Sequence, residues 1–260
     1  QHAVTFSAGL AINGLKPVCA IYSTFLQRGF DQLIHDVCLQ GLPVVFAVDR
    51  AGAVGEDSPT QQGAFDLSFL RCVPGLAILA PRDAQDTRAM LTWALQQDGP
   101  VAMRYARGGA PAIGPDARPA LPSGQILREG SDAFFVGVGP VLGACVEAAE
   151  TLAGEGVSVG VADARCVKPL DGGLLDKLAG MPLVAVEENT VQGGLGSAIL
   201  EYYATSGRLQ GTPMGFAGFP DAYVPHATRG EQLADLGLDA AGLRRTMQQT
   251  LAQVEQHSLK

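Results

Sequence analysis

Two rhythms of apolar and polar positions alternate along the 260 residues of the chain. Short apolar runs at Pro17–Ile21, Pro43–Val48, Leu76–Ala80 and Val101–Tyr105 read as buried parallel strands. Between them lie segments with helical spacing. These are Gln1–Gly14, rich in small residues, then Phe30–Cys38, then a helix opened by Pro81-Arg82-Asp83 that runs to about Gln97. From Ala106 to Gly130 the periodicity stops and Gly, Pro, Ala and Ser dominate, as in a linker. A second alternation follows. Strands are predicted at Ala133–Val138, Val157–Ala162, Leu183–Val186 and Met214–Ala217, with helices at Leu142–Ala153, Gly173–Leu178, Gly196–Ala204 and Ala240–Val254. Strands alternating with helices predict an α/β chain of two consecutive doubly wound domains. Their expected extents are residues 1–110 and 131–260, with the linker at 111–130, and no internal sequence repeat relates them.

Composition narrows the class. Hydrophobic residues make up 47% and charged residues 17%, a balance that buries a core. No apolar run reaches the ~18 residues of a membrane span, and no segment reads as a signal peptide, so a cytoplasmic protein without a membrane partner is expected. A net charge of −8 argues against nucleic acid. Residues 1–110 carry 8 basic and 9 acidic residues, and residues 111–260 carry 10 and 17, so the cations for an anionic ligand lie in the first part. Cys19, Cys38, Cys72, Cys145 and Cys166 have no metal-ligand spacing and read as reduced thiols. Among His2, His35, His226 and His257, no pair has metal-ligand spacing either, so no metal site is expected. His226 reads as a domain or subunit contact, and His257 as part of a frayed tail.

Candidate chemistry gathers at the ends of the first strands, where open α/β sheets place their ligand crevice. After the first strand, Tyr22 and Arg28 bring a hydroxyl and a fixed cation, Phe25 a flat face, and Ser23 and Thr24 two candidate helix caps. On residue types alone, a capped helix with a core Phe and a solvated Arg is favoured over a binding turn. The long polar loop Asp49–Gly63 holds Arg50, Glu56 and Asp57, and loops of this length in compact domains are more often functional than idle. Gly193-Gly194-Leu195-Gly196 has an incomplete nucleotide fingerprint and reads as a tight turn. Glu187 and Glu188 read as helix-terminus or interface carboxylates rather than as an acid–base pair.

The run Tyr22-Ser23-Thr24-Phe25-Leu26-Gln27-Arg28, followed by Phe30-Asp31-Gln32, resembles the signature of the 1-deoxy-D-xylulose-5-phosphate synthases, thiamine-diphosphate enzymes related to transketolase. The likeness continues through Gln1–Phe6, Asp49–Gly52, Gly63–Ser68, Arg104-Tyr105, Val167–Asp171, Glu187–Asn189 and Gly237–Ala240, in the family's order. It implies a pyrimidine-binding domain followed by a transketolase-type carboxy-terminal domain, in a homodimer. The implied reaction decarboxylates pyruvate and joins the two-carbon unit to glyceraldehyde 3-phosphate, feeding isoprenoid precursor, thiamine and pyridoxal synthesis.

By the same resemblance, Phe25 packs on the cofactor's aminopyrimidine ring. Tyr22, Arg50 and Arg107 surround the phosphate of glyceraldehyde 3-phosphate, with Arg104 ranked behind Arg107. Arg28 lies near the donor, and Asp57 holds it before decarboxylation. Gln61 stands where the family has an active-site His, and an amide cannot change charge near neutral pH. The Glu that precedes the family's equivalent of Gln1 is not in this sequence, nor is the domain that binds magnesium and the diphosphate. The chain is therefore expected to be part of a longer protein and inactive alone. Alternatives are a split transketolase, a 2-oxoacid dehydrogenase β subunit, or a catalytically silent regulatory relative.

Overall fold

Apolar runs too short for helices and buried on both faces settle here as parallel strands, in a computed structural model that describes residues 1–109 and 111–258. The first part runs α1 (His2–Ile12), β1 (Val18–Tyr22), α2 (Ser23–Leu26), α3 (Phe30–Gln32), β2 (Val45–Asp49), α4 (Asp66–Arg71), β3 (Ala77–Leu79), α5 (Ala84–Gln96) and β4 (Val101–Arg104). The second comprises β5 (Gln125–Arg128), β6 (Ala133–Gly137), α6 (Leu142–Gly154), β7 (Val159–Asp163), β8 (Cys166–Lys168), α7 (Gly172–Leu178), β9 (Leu183–Thr190), α8 (Leu195–Thr205), β10 (Met214–Phe219), α9 (Arg229–Asp235) and α10 (Ala240–Ser258).

Two five-stranded sheets result, in the orders β1-β2-β4-β3-β8 and β10-β9-β6-β7-β5. Each has four parallel strands and one antiparallel edge strand, β8 beside β3 and β5 beside β7. Residues 111–130, expected to be a linker, therefore include a strand. The four residues of β5 are too few to carry a visible alternation. The three-residue β8 escapes the sequence pattern for the same reason, and it crosses from the second half of the chain to finish the first sheet. The Phe30–Cys38 helix also differs from expectation, since Leu33–Cys38 winds as a π-helix. Ala110, at the expected end of the first domain, and residues 259–260 lie outside the described residues, as does the His257 side chain.

Alternation along the strands explains the layers. Val45, Val101 and Met103 face α5 through Met90 and Ala94, while Phe46, Val48 and Ala102 face inward. On β6, Phe134 and Val136 join that same inner cluster, whereas Ala133 and Phe135 pack with Leu142, Cys145 and Leu152 of α6. One core is thus shared by both sheets. Fully buried ion pairs cross the same boundary: Arg82 donates to Asp163 at 2.7 Å, and Arg165 to Asp86 at 2.8 Å. Five cysteines are free thiols, and Cys72 alone is exposed among them.

Candidate active site

Strand register builds the site. Tyr22 lies beside Asp49, and Val48 beside Arg104, so β1, β2 and β4 finish level with one another. Chain segments leaving these ends emerge on one edge, outside the carboxyl ends of parallel strands. From β1 the chain turns at once into α2. There the Phe25 ring, 51% exposed, stacks on Tyr22 with centroids 5.3 Å apart and planes 15° from parallel. Ser23 and Thr24 do not cap this helix as expected. The Ser23 hydroxyl is buried and finds no partner among the described residues, and Thr24 Oγ1 donates to the carbonyl of Thr60 at 2.6 Å. A four-residue helix offers little to cap, and the hydroxyl instead ties the turn to the Asp49–Gly63 loop.

That loop closes on itself. Gly52 and Gly63 exchange backbone hydrogen bonds of 2.7 and 2.9 Å. A Cβ on Gly63 would stand 2.2 Å from the Arg50 carbonyl oxygen, so glycine is needed for the closure. Arg50 itself has φ of 55°, a left-handed conformation that costs a residue with a side chain about 1–2 kcal/mol. It aims the guanidinium over the Tyr22 ring, 4.3 Å from the centroid, with Nη1 donating to Asp57 at 3.2 Å. Both side chains remain partly exposed, 24% and 30%. Arg107 is exposed and reaches the same loop, donating to the Val54 carbonyl at 3.2 Å.

Tyr22, Phe25, Arg50, Asp57 and Arg107 therefore meet on one loop and one turn. Arg28 is exposed and Gln61 half-buried, and neither side chain makes a hydrogen bond or ion pair among the described residues. Arg104 turns the other way. It is buried, donating to Asp66 and to the Glu188 carbonyl, which binds it into the domain boundary. Among the described residues, no group of three or more His, Cys, Asp or Glu side chains is placed to hold a metal ion.

Glu187 and Glu188 separate as neighbours on a strand do. Glu187 accepts from the Leu195 and Gly196 amides at the start of α8, and burial pushes its carboxyl up to about 7 against the pull of those two bonds. Glu188 faces the loop. It accepts from the Ala53 amide at 3.2 Å and from both Arg229 terminal nitrogens, at 2.8 and 2.6 Å. Gln232, 1% exposed, bonds Gly55, and His226 Nδ1 lies 3.0 Å from the Asp57 carbonyl oxygen. Sequence reasoning missed Arg229, Gln232 and Gln62, whose Oε1 accepts from the Val54 amide. The signal was present for the first two: Thr228-x-x-Glu231 forms a full capping box, which locates α9.

The resulting shelf offers a flat apolar ring, a phenol, a carboxylate and two guanidinium groups with donors to spare. Such a set can stack a heteroaromatic ring and neutralise a phosphate dianion.

Comparisons with known proteins bear on the fold and the family. Residues 1–111 match the family described as "Transketolase, pyrimidine binding domain", and residues 123–243 match "Transketolase, C-terminal domain". The chain is 52% identical over 248 residues to the 1-deoxy-D-xylulose-5-phosphate synthase of Chlorobium luteolum, covering 93% of the chain and 39% of that protein. It is 53% identical over 242 residues to that of Carboxydothermus hydrogenoformans, covering 92% and 39%. The chain thus spans about two-fifths of the length of these relatives. Among solved structures, a split-gene transketolase described as an inactive β4 tetramer superposes with a TM-score of 0.88 at 30% identity, over 96% of this chain and 81% of that one. A pyrimidine-binding domain and a C-terminal domain in tandem, the level strand ends and the relatives' identity lead to one conclusion: the chain belongs to the transketolase family.

Proposed function

We propose that this chain forms the pyrimidine- and acceptor-binding part of a 1-deoxy-D-xylulose-5-phosphate synthase, which decarboxylates pyruvate and joins the two-carbon unit to glyceraldehyde 3-phosphate. The observation that carries this reading is the convergence of Tyr22, Arg50, Asp57 and Arg107 on one loop, in a chain about half identical to several such synthases.

Residues present fit the cofactor's ring. Phe25 keeps half its surface exposed and is held flat by Tyr22, which presents a ready face to an aminopyrimidine. Thiamine diphosphate, when bound, supplies the carbanion chemistry of the reaction. The protein's part is to position and to neutralise. Arg50 and Arg107 take the acceptor's phosphate with the Tyr22 hydroxyl, guanidinium forks matching its oxygens. Asp57, now paired with Arg50, faces the donor together with Arg28, and the Gln61 amide binds the donor carboxylate in place of a titrating imidazole. Magnesium and the diphosphate are held by a domain outside this chain.

A cytoplasmic homodimer completes the proposal. No helix among the described residues is long and apolar enough to cross a membrane. Around α1, the side chains of Phe6, Ile12 and Leu15 are more than half exposed, an apolar surface suited to a second copy. One observation favours a second reading, a split transketolase subunit: the β4 neighbour has nearly the same extent. Its 30% identity against 47–53% for the synthases ranks it behind.

The test is an assay of carbon dioxide release from pyruvate by this chain joined to the cofactor-binding domain of a relative, with thiamine diphosphate and magnesium. Release that depends on glyceraldehyde 3-phosphate is expected. Ketose-phosphate transfer without pyruvate would replace the proposal by the transketolase reading.

A further inference from the structure

The loop that carries Arg50 and Asp57 is gripped from below by the other domain at alternate residues. At Ala53, the amide donates to Glu188 and the carbonyl accepts from Arg229 Nη1. At Gly55, the amide donates to Gln232 Oε1 at 2.8 Å, while Gln232 Nε2 donates back to the Gly55 carbonyl at 3.3 Å and to Pro225 at 2.8 Å. At Asp57, the carbonyl oxygen lies 3.0 Å from His226 Nδ1. Val54, between the gripped residues, is bonded instead by Arg107 and Gln62.

This is close packing of backbone on backbone. Gly55 has φ of 86°, and a Cβ there would meet the Arg229 amide nitrogen at 3.2 Å. Gln232 is 1% exposed, so its amide has no access to water as a substitute partner. Removing that amide leaves the buried Gly55 N–H unpaired, while the Gly55 carbonyl keeps the Asp57 amide at 2.6 Å, and the loop relieves the stranded donor by lifting away.

From this geometry we propose that Gln232, with Arg229 and His226, is a positioning residue: the carboxy-terminal domain sets the conformation in which Arg50 and Asp57 meet their ligands. The functional half of this statement rests on the synthase reading above. None of the three residues need touch substrate. Each acts through the loop backbone.

Amide hydrogen exchange on this chain tests the grip without any assay of turnover. In Gln232→Leu, exchange across residues 52–58 is expected to rise about tenfold, with β2 and β9 unchanged. Gln232→Glu, which keeps an acceptor for the Gly55 amide, should show a smaller rise. His226→Ala alters an exposed residue and folds in any case; it should loosen the Asp57 end alone. Unchanged exchange in the segment, or an equal rise throughout the chain, would overturn the proposal. In the cofactor-loaded assembly, Gln232→Leu is expected to raise the KM for glyceraldehyde 3-phosphate about fivefold and to lower kcat less than Asp57→Asn does. An unaltered KM with a loosened loop would also overturn it. A wild-type assembly that ignores glyceraldehyde 3-phosphate would sink the synthase reading instead, leaving exchange to decide the grip.

Discussion

The guanidinium carbon of Arg50 sits 4.3 Å above the ring centre of Tyr22, held there by a backbone conformation that arginine rarely adopts. A cation on an aromatic face at a partly exposed site gains about 0.5–1 kcal/mol. Tyr22→Phe keeps that gain and loses only the hydroxyl, whereas Tyr22→Leu loses both. The KM for glyceraldehyde 3-phosphate should therefore rise more in Tyr22→Leu than in Tyr22→Phe, by about two- to fivefold. Equal rises would mean that the ring does not support Arg50.

Removing either cation should weaken the acceptor alone. A charge-assisted bond contributes about 1.5–3 kcal/mol, so Arg50→Ala and Arg107→Ala should each raise the glyceraldehyde 3-phosphate KM about tenfold or more. Pyruvate KM should change less. Steady-state kinetics with each substrate varied in turn would show this, and equal losses for both would contradict the phosphate assignment.

Arg50 pairs with Asp57 at 3.2 Å, so under the proposed reading Asp57 would compete with the acceptor's phosphate for that guanidinium. Asp57→Asn should release that guanidinium and lower the acceptor KM severalfold, while kcat falls because the donor loses its carboxylate. Opposite movements in one variant distinguish a shared site from two separate ones. If both parameters worsen together, the Arg50–Asp57 pair is structural.

Glu187 links stability to pH. Burial holds its carboxyl up at about 7, above its ordinary 4.5, so the folded state binds the proton more tightly than the unfolded chain. The stability it contributes is full below about pH 4.5 and is lost as pH rises through about 7. Burial moves Asp163 in the same direction, against the pull of Arg82, so the informative quantity is a difference between proteins. Urea unfolding at pH 5 and pH 8 should show wild type losing on the order of 1–3 kcal/mol more than Glu187→Gln over that interval.

The ion pairs between the two halves are expected to be costly to break singly. Arg82 is fully buried and donates to Asp163, to Gln125 and to the Ile113 carbonyl. Arg82→Ala strands a buried carboxylate, and the loss should be about 3–5 kcal/mol in denaturant unfolding. Arg118→Ala, which removes one partner of Asp83 from a less enclosed position, should cost less.

Much of this was legible in the chain. Valine-rich runs such as Val44–Val48 announced their strands because parallel strands are buried on both faces. The Tyr22 turn and Arg50 could be placed at strand ends for the same reason. What stayed hidden depended on distant partners. Ser23 looked like a cap, but the short α2 left its hydroxyl without a bond among the described residues, and Thr24 found Thr60, 36 residues on. Arg104 and Arg107 lie three residues apart, yet one is locked on Asp66 and the other is exposed, a difference that no local spacing encodes. Gln232 bonds a glycine 177 residues away, and its role was invisible until both ends were in place.

One consequence falls on biosynthesis. Because Cys166–Lys168 supplies the last strand of the first sheet, β3 leaves the ribosome with a bare hydrogen-bonding edge. At ~5–20 residues per second, the chain between β4 and that strand takes roughly 3–13 s to emerge. Throughout that interval the first sheet awaits its border, and any chaperone that shields it has that edge to hold.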